Sequence, residues 1–483
     1  MEAKRYEVYG HDGRRWLIDC VRASLASALI RCDELANDVR AGFDVLRVVD
    51  TGHADGRERV IHEQTVSRRH ANRPRMRTIK EAAYCERLAD YYSLEARLTI
   101  GRLLRPFLDD ARITALELLH DYTRLRRVMR DDRLYPLALN HIASLQAQAC
   151  GRPAAERRSE IDRAVQQIMD QARGRHAYAG LSQALARGGL PAARAELPAD
   201  TTPEQTRLHL SAAVARYLRD HHDWPDKLAA LLDLLGPATD ADPSGATVID
   251  ACVAEILQSA EALEALIGHP PSLGERVIAR ARLAQGRLHA TGETQTQTQT
   301  PDFGETARDE EALAHRLSRL FAERKTLWAA APETLFRQAA SVLHGTRPLA
   351  GQKSQEAAAF ERVVGSLQTG GGLAGGPEMA DAVTRRARLI YGDSFEDMPP
   401  RPAVEKVTSL LSPRAAQIGY QLALAASPFG QKYPSVMTGV LSETLKGVSD
   451  RRALLAGRTD PRQADAMIRE LGERIHLLET RTA

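Results

Sequence analysis

The hydrophobic period of this chain changes once, near residue 66, and that change divides it into two kinds of structure. Before it, short runs alternate apolar and polar residues. After it, apolar residues recur three and four apart. The first spacing is that of a half-buried strand and the second that of an amphipathic helix.

The first region reads as two hairpins around a helix. "RYEVYG" and "RWLIDCV" are β-branched and aromatic, and the Asp12-Gly13 pair between them fits a tight turn. On the second strand Trp16, Ile18 and Cys20 alternate with Leu17 and Asp19. In "RASLASALIRCDELAND", Leu25, Leu29, Cys32 and Leu35 or Ala36 fall at helical spacing. "FDVLRVVD" and "RERVIHEQTV" supply another pair of strands across "TGHADG". The order β-β-α-β-β predicts a small, mostly antiparallel sheet with one helix on one face. A module of this size has a marginal core and is expected to lean on a neighbour.

"SRRHANRPRMR", residues 67–77, carries Arg68, Arg69, Arg73, Arg75 and Arg77 and no acidic residue. Its Pro and Asn argue against regular structure. Arginines suit phosphate contacts, so these five are the candidate contacts to nucleic acid or to an acidic protein partner. No aromatic residue lies among them to stack on bases.

From Thr78 the pattern is helical. Tyr84, Leu88 and Tyr91 are expected on one stripe, and Leu118, Tyr122, Leu125 and Met129 on another. Pro106 and Pro136 suit helix starts or bends. A loose stretch is expected from Gly188 to Asp200. "TTPEQ" then reopens helix, with Thr202 as cap, Pro203 in the first position and Gln205 completing a capping box. Pro332, Pro377, Pro413 and Pro461 mark later starts, with Ser412 and Asp460 as N-caps. "TGETQTQTQTPDFGE" is polar and of low complexity, and reads as a flexible linker. Ala464, Ile468, Leu471, Ile475 and Leu478 give the last helix a four-three seam, expected to dock into a bundle.

The expected fold class is therefore mainly α, a small N-terminal α/β (ββαββ) module followed by irregular helical bundles. The expected division is a module over 1–66, a basic linker over 67–77, helical domains over 78–187 and 188–292, a flexible linker over 293–305, and a C-terminal helical domain over 306–483.

A net charge of +3 on 483 residues argues against a surface built wholly for nucleic acid. Only 8 of the 66 basic residues are Lys, an Arg excess that reads as GC-rich, bacterial coding. Cys20, Cys32, Cys85, Cys150 and Cys252 are odd in number and lack C-x-x-C spacing, so no disulfide framework is expected. With no signal-peptide core at the start and no membrane-spanning apolar run, a reducing, cytoplasmic location is expected.

Three segments invite a chemical reading. In "YLRDHHDWPDK", His222 and Asp223 resemble half of a metal-dependent phosphohydrolase site, which needs further His and Asp ligands from other helices. His209 lies on the same helix, about 220° around from His222 at 100° per residue. His176 and Asp250 are the outer partners that distance in sequence allows. A helix ending explains the cluster better. Leu208, Ala215 and Leu218 form a stripe that His222 extends by one turn, Pro225 stops the helix, and Asp223 or Trp224 caps the next.

In "DADPSGATVIDA", Asp240, Asp242, Ser244 and Gly245 occupy positions one, three, five and six of a calcium loop, but Ala251 stands at the twelfth, where Glu is needed. "TGGGLAGGPEMA" is a Gly-rich entry to a helix without the Gly-Lys-Ser/Thr ending of a phosphate loop, and it places Glu378 where a phosphate would sit. These read as a polar turn and a flexible connector.

No catalytic, cofactor-binding or metal-binding residue is assigned. The expected function is a non-catalytic cytoplasmic adaptor or regulatory scaffold, binding protein partners through helical surfaces and the N-terminal module. The alternatives are a metal-dependent phosphohydrolase centred on His222 and Asp223, and a nucleic-acid-associated protein using residues 67–77.

Overall fold

A computed structural model describes residues 6–11, 15–37, 43, 45–51, 59–65, 76–174, 179–235, 243–288, 305–323, 328–392, 397–448 and 461–482. The chain forms two compact units, Met1–Met76 and Arg77–Ala483. It is mainly α, with 22 α-helices among the described residues and a small α/β module at the N-terminus.

The first unit contains β1 (Tyr6–His11), β2 (Trp16–Arg22), α1 (Leu25–Asn37), β3 (Val45–Asp50) and β4 (Arg59–Thr65). This is the β-β-α-β-β order that the change of period predicts. The sheet is antiparallel throughout, in the order β2-β1-β3-β4. Helix α1 buries Ala28, Cys32 and Leu35 against Tyr6, Val8, Leu46 and Val48. Gly10 leaves room for the Phe43 ring, which would lie 2.3 Å from an added Cβ.

Each edge strand is irregular. Val8 pairs with Cys20 and Tyr9 with Ile18, so Asp19 is the extra residue. Val48 pairs with His62 and Val49 with Val60, which leaves Ile61 extra. An extra residue moves the side chains beyond it to the opposite face. Cys20 therefore packs against the α1 core, while Trp16 and Ile18 face away from it, and the expected shared face of Trp16, Ile18 and Cys20 does not form. Asp19 instead accepts two hydrogen bonds from Arg31 on α1, at 2.8 and 2.9 Å. The turn at Asp12-Gly13 lies outside the described residues.

The second unit opens without an α-helix. Residues 81–86 have no regular structure and lead into a short 3-10 helix, Leu88–Tyr92. Tyr84 is 40% exposed and Tyr91 is buried, so the expected stripe of Tyr84, Leu88 and Tyr91 does not form. The cause is competition for backbone groups. Gln146 donates to the Ala83 carbonyl, Arg157 donates to the Cys85 carbonyl, and His141 bonds the backbone of Ile79.

Then follow α2 (Leu94–Leu103), α3 (Arg105–Ala111), α4 (Ala115–Leu119), α5 (Tyr122–Met129), α6 (Leu134–Cys150) and α7 (Ala154–Arg173). Pro106 and Pro136 sit in the first turns of α3 and α6. Leu118 and Leu125 are buried but belong to separate helices, because Asp121 accepts from the Arg124 N–H and starts α5. Helix α8 (Ala179–Ala195) takes in the first part of the stretch read as loose, with a kink at Gly188–Gly189, and residues 196–200 beyond it are not helical. Gly189 has φ +66°, and a Cβ there would lie 3.1 Å from the Leu234 carbonyl oxygen.

Helix α9 (Pro203–Tyr217) begins with the expected capping box, Thr202 and Gln205 accepting from each other's backbone N–H. Next come α10 (Trp224–Asp233), α11 (Pro243–Ile256), α12 (Ala260–Ile267) and α13 (Leu273–Ala284), then α14 (Glu305–Glu323) and α15 (Ala330–His344). The C-terminal part holds α16 (Glu356–Leu367), α17 (Gly376–Tyr391), α18 (Pro400–Ser409), α19 (Arg414–Ala426), α20 (Pro428–Lys432), α21 (Pro434–Val448) and α22 (Pro461–Thr482).

Two large cores share α13 and α15. Val277 and Ala281 enter one and Leu283 the other, while Ala339 and Leu343 enter one and Ala331 and Leu335 the other. Helix α22 docks by Ala464, Leu471 and Leu478, with Ile468 and Ile475 partly buried beside them. Pro377 and Pro461 stand in first turns, and Pro413 immediately precedes α19. Ser412 does not cap α19; both its backbone N–H and its carbonyl are held by the Gln368 amide. Asp460 and residues 293–304 lie outside the described residues. No described helix is long and apolar enough to cross a membrane.

Candidate interaction surface

The pairing register fixes which side chains share the sheet face turned away from α1. Ile18 stands opposite Tyr9, Trp16 opposite His11 and Val21 opposite Glu7. Across β3, Tyr9 stands opposite Arg47 and Glu7 opposite Val49, and Val60 on β4 faces Val49. In this unit α1 is the only helix among the described residues, and it covers the other face.

The polar members of the open face are matched to one another. The Tyr9 hydroxyl donates to the Glu7 carboxylate at 2.7 Å. The Arg47 guanidinium lies 4.2 Å from the centre of the Trp16 ring and 2.5 Å from the Glu63 carboxylate. The His11 and Trp16 rings are 5.0 Å apart. Val49, at the centre of the face, is buried, while the apolar side chains of the two edge strands are exposed: Trp16 36%, Ile18 56%, Val21 41% and Val60 48%. Bulges blunt an edge against added strands, so the face rather than either edge is what this sheet offers.

Of the five arginines singled out in the sequence, Arg68, Arg69, Arg73 and Arg75 lie outside the described residues. Arg77 is exposed, and its N–H donates to the Leu103 carbonyl at 2.8 Å at the end of α2.

His222 and Asp223 are both exposed. Helix α9 ends at Tyr217, a single 3-10 turn follows, and His221 is already extended. His222 therefore does not continue the stripe of Ala215 and Leu218. The helix stops one turn too early. His221 instead packs on the Tyr217 ring at 5.0 Å, with its Nδ1 3.0 Å from the Asp226 carboxylate. Asp223 caps α10, accepting from the Asp226 N–H at 2.8 Å.

Asp250 is committed elsewhere. It is buried and accepts from the N–H groups of Ala329, Ala330 and Ala331 at 3.0, 2.8 and 2.9 Å, capping α15 from another helix. Burial pushes its carboxyl up, against the pull of those three donors. His176, Asp240 and Asp242 lie outside the described residues. Ser244 and Gly245 already belong to α11, so they are not loop positions of a calcium site. Among the described residues no group of three or more His, Cys, Asp or Glu side chains is placed to hold a metal ion.

The Gly-rich segment is a hairpin, not a flexible connector. β5 (Gln368–Thr369) pairs with β6 (Gly372–Leu373). It lies so close to α19 that a Cβ on Gly419 would fall 1.7 Å from the Gly371 carbonyl oxygen. The glycines serve backbone contact between hairpin and helix.

Two buried ion pairs were not singled out in the sequence. Arg97 meets Glu255 at 2.9 Å and Lys227 meets Glu117 at 2.5 Å. Glu117 also accepts the Thr114 N–H, and Glu255 accepts the Leu116 N–H, so both carboxylates serve the start of α4. Burial pushes both carboxyls up and the Lys227 ammonium down. The Thr114-x-x-Glu117 spacing was the available signal, as a capping box.

Comparison with protein-family models, with curated proteins and with solved structures finds no match for this chain.

Proposed function

We propose that this chain is a non-catalytic protein-binding adaptor whose N-terminal module engages its partner through the uncovered sheet face. The observation that carries the reading is the exposure of Trp16, Ile18, Val21 and Val60 on one face. Clustered exposed apolar side chains such as those of Trp16, Ile18 and Val21 on β2 mark interaction surfaces, and Trp and Arg are frequent anchors at their centres. A protein partner fits better than nucleic acid, because Arg47 is already paired with Glu63. Chemistry at His222 is disfavoured, because Asp223 and Asp250 are both spent on helix caps. The five free cysteines support a reducing, cytoplasmic setting.

The test is affinity capture with the full chain, read by mass spectrometry, against Ile18→Lys and Trp16→Ala variants. One partner is expected to be retained by the wild type and lost by both variants, with unchanged circular dichroism. A partner retained equally by all three proteins overturns this use of the face.

A further inference from the structure

Helices α2 and α4 to α7 line a half-open apolar chamber of about 130 Å³, walled by residues such as Ile100, Leu119, Ile142 and Ile168. Polar groups in the wall are engaged. The Thr99 hydroxyl donates to the Glu95 carbonyl at 2.8 Å, and Gln146 is held between the Ala83 carbonyl and Arg157. Water needs several polar partners to occupy a cavity, and a dry cavity of about 150 Å³ takes up benzene. Close-packed interiors leave few voids of this size.

A groove of about 630 Å³ runs outside it between α6 and α7, lined by Asn140, Ser144, Arg158, Ser159 and Asp162. Tyr135 and Leu139 line both spaces, so they form the partition between them. The Tyr135 hydroxyl donates to Asp162 at 2.7 Å, which holds the ring in place. Burial keeps that phenol protonated well above its ordinary range, so it remains a donor. Arg158 is the one cation among the groove's lining residues, and it stands one helical turn before Asp162 on α7.

We propose that chamber and groove form one binding site for a small aromatic or short-chain carboxylate. The apolar end enters the chamber, the carboxylate meets Arg158, and Tyr135 is the movable partition. Nothing in this site depends on the sheet face of the N-terminal module.

The test is nuclear magnetic resonance of isotope-labelled isoleucine methyls in the full chain, titrated with benzene and, separately, with hexanoate. Both probes are expected to shift the methyls of Ile100, Ile142 and Ile168. Arg158→Gln is expected to weaken hexanoate roughly tenfold and to leave benzene unchanged, as loss of one charge-assisted contact requires. Tyr135→Phe keeps the ring but loses its bond to Asp162, so both probes should exchange roughly tenfold faster. Ala138→Leu fills the chamber and should abolish both sets of shifts. Arg158→Gln alters only the groove and serves if Ala138→Leu does not fold. Chamber methyls that respond to neither probe, or that still respond in a folded Ala138→Leu protein, overturn the proposal. Equal hexanoate affinity in Arg158→Gln overturns the carboxylate assignment.

Discussion

Lys227 donates to the Glu117 carboxylate at 2.5 Å across 110 residues of sequence, and neither side chain reaches solvent. The pair joins α10 to the start of α4, where Glu117 also caps its own helix. Such a pair adds little beyond an apolar replacement, but breaking it leaves one charge buried alone. Lys227→Met is therefore expected to cost about 3–5 kcal/mol. The double variant Lys227→Met/Glu117→Gln should recover part of that loss, since an amide needs no counter-charge and still accepts from Thr114. Urea unfolding of the four proteins as a double-mutant cycle measures the coupling. Additive losses would show that the two side chains act independently.

Asp250 satisfies three backbone donors that α15 cannot satisfy for itself. Asp250→Ala leaves those groups without their acceptor, the buried Ala331 N–H among them, and is expected to cost about 2–3 kcal/mol. Asp250→Asn keeps one acceptor oxygen in place and should cost less. The comparison is made by thermal unfolding, with hydrogen exchange at Ala330 and Ala331 as the local readout. Equal losses in the two variants would mean that the acceptor oxygen is not what matters.

What could be read from the sequence was local. The Thr202–Gln205 capping box and the β-β-α-β-β order follow from spacing within a few residues, and both are present. What could not be read depends on partners far along the chain. The alternation of Trp16, Ile18 and Cys20 is unbroken in the sequence, and only the pairing of β2 with β1 reveals Asp19 as the extra residue. Tyr84, Leu88 and Tyr91 have helical spacing, but Gln146 and Arg157 take the nearby carbonyls from more than sixty residues away. The open sheet face was hidden for the same reason, because its members come from four strands. His222 was placed one turn too far along α9, the ordinary error at a helix end.

Gly419 and Gly371 are in backbone contact where the small hairpin meets α19. An added Cβ on Gly419 would overlap the Gly371 carbonyl oxygen, and no rotamer change relieves a clash with backbone. Gly419→Ala is expected to cost at least about 1–3 kcal/mol, although Ala is the better helix former. Gly365→Ala, on α16, meets no atom within 4 Å and should be neutral or slightly stabilising. Melting temperatures of the two variants separate the effects. A Gly419→Ala protein as stable as Gly365→Ala would show that the hairpin moves freely on the helix.

Cys252 lies fully buried on α11, and burial pushes its thiol up to about 12 from an ordinary 9.0. Well below pH 9 the thiol is protonated in both folded and unfolded chains and has no effect on the balance. Above it the unfolded chain releases this proton while the folded chain holds it, so stability falls until the folded thiol itself ionises. At pH 10 the loss from this one group is about 1.4 kcal/mol. Cys252→Ala removes the titrating group at a cost that does not vary with pH, while every other alkaline effect remains in both proteins. Urea unfolding at pH 7 and pH 10 should therefore show the wild type losing about 1.4 kcal/mol more than Cys252→Ala. Equal losses would mean that the thiol ionises as readily in the folded chain as in the unfolded one.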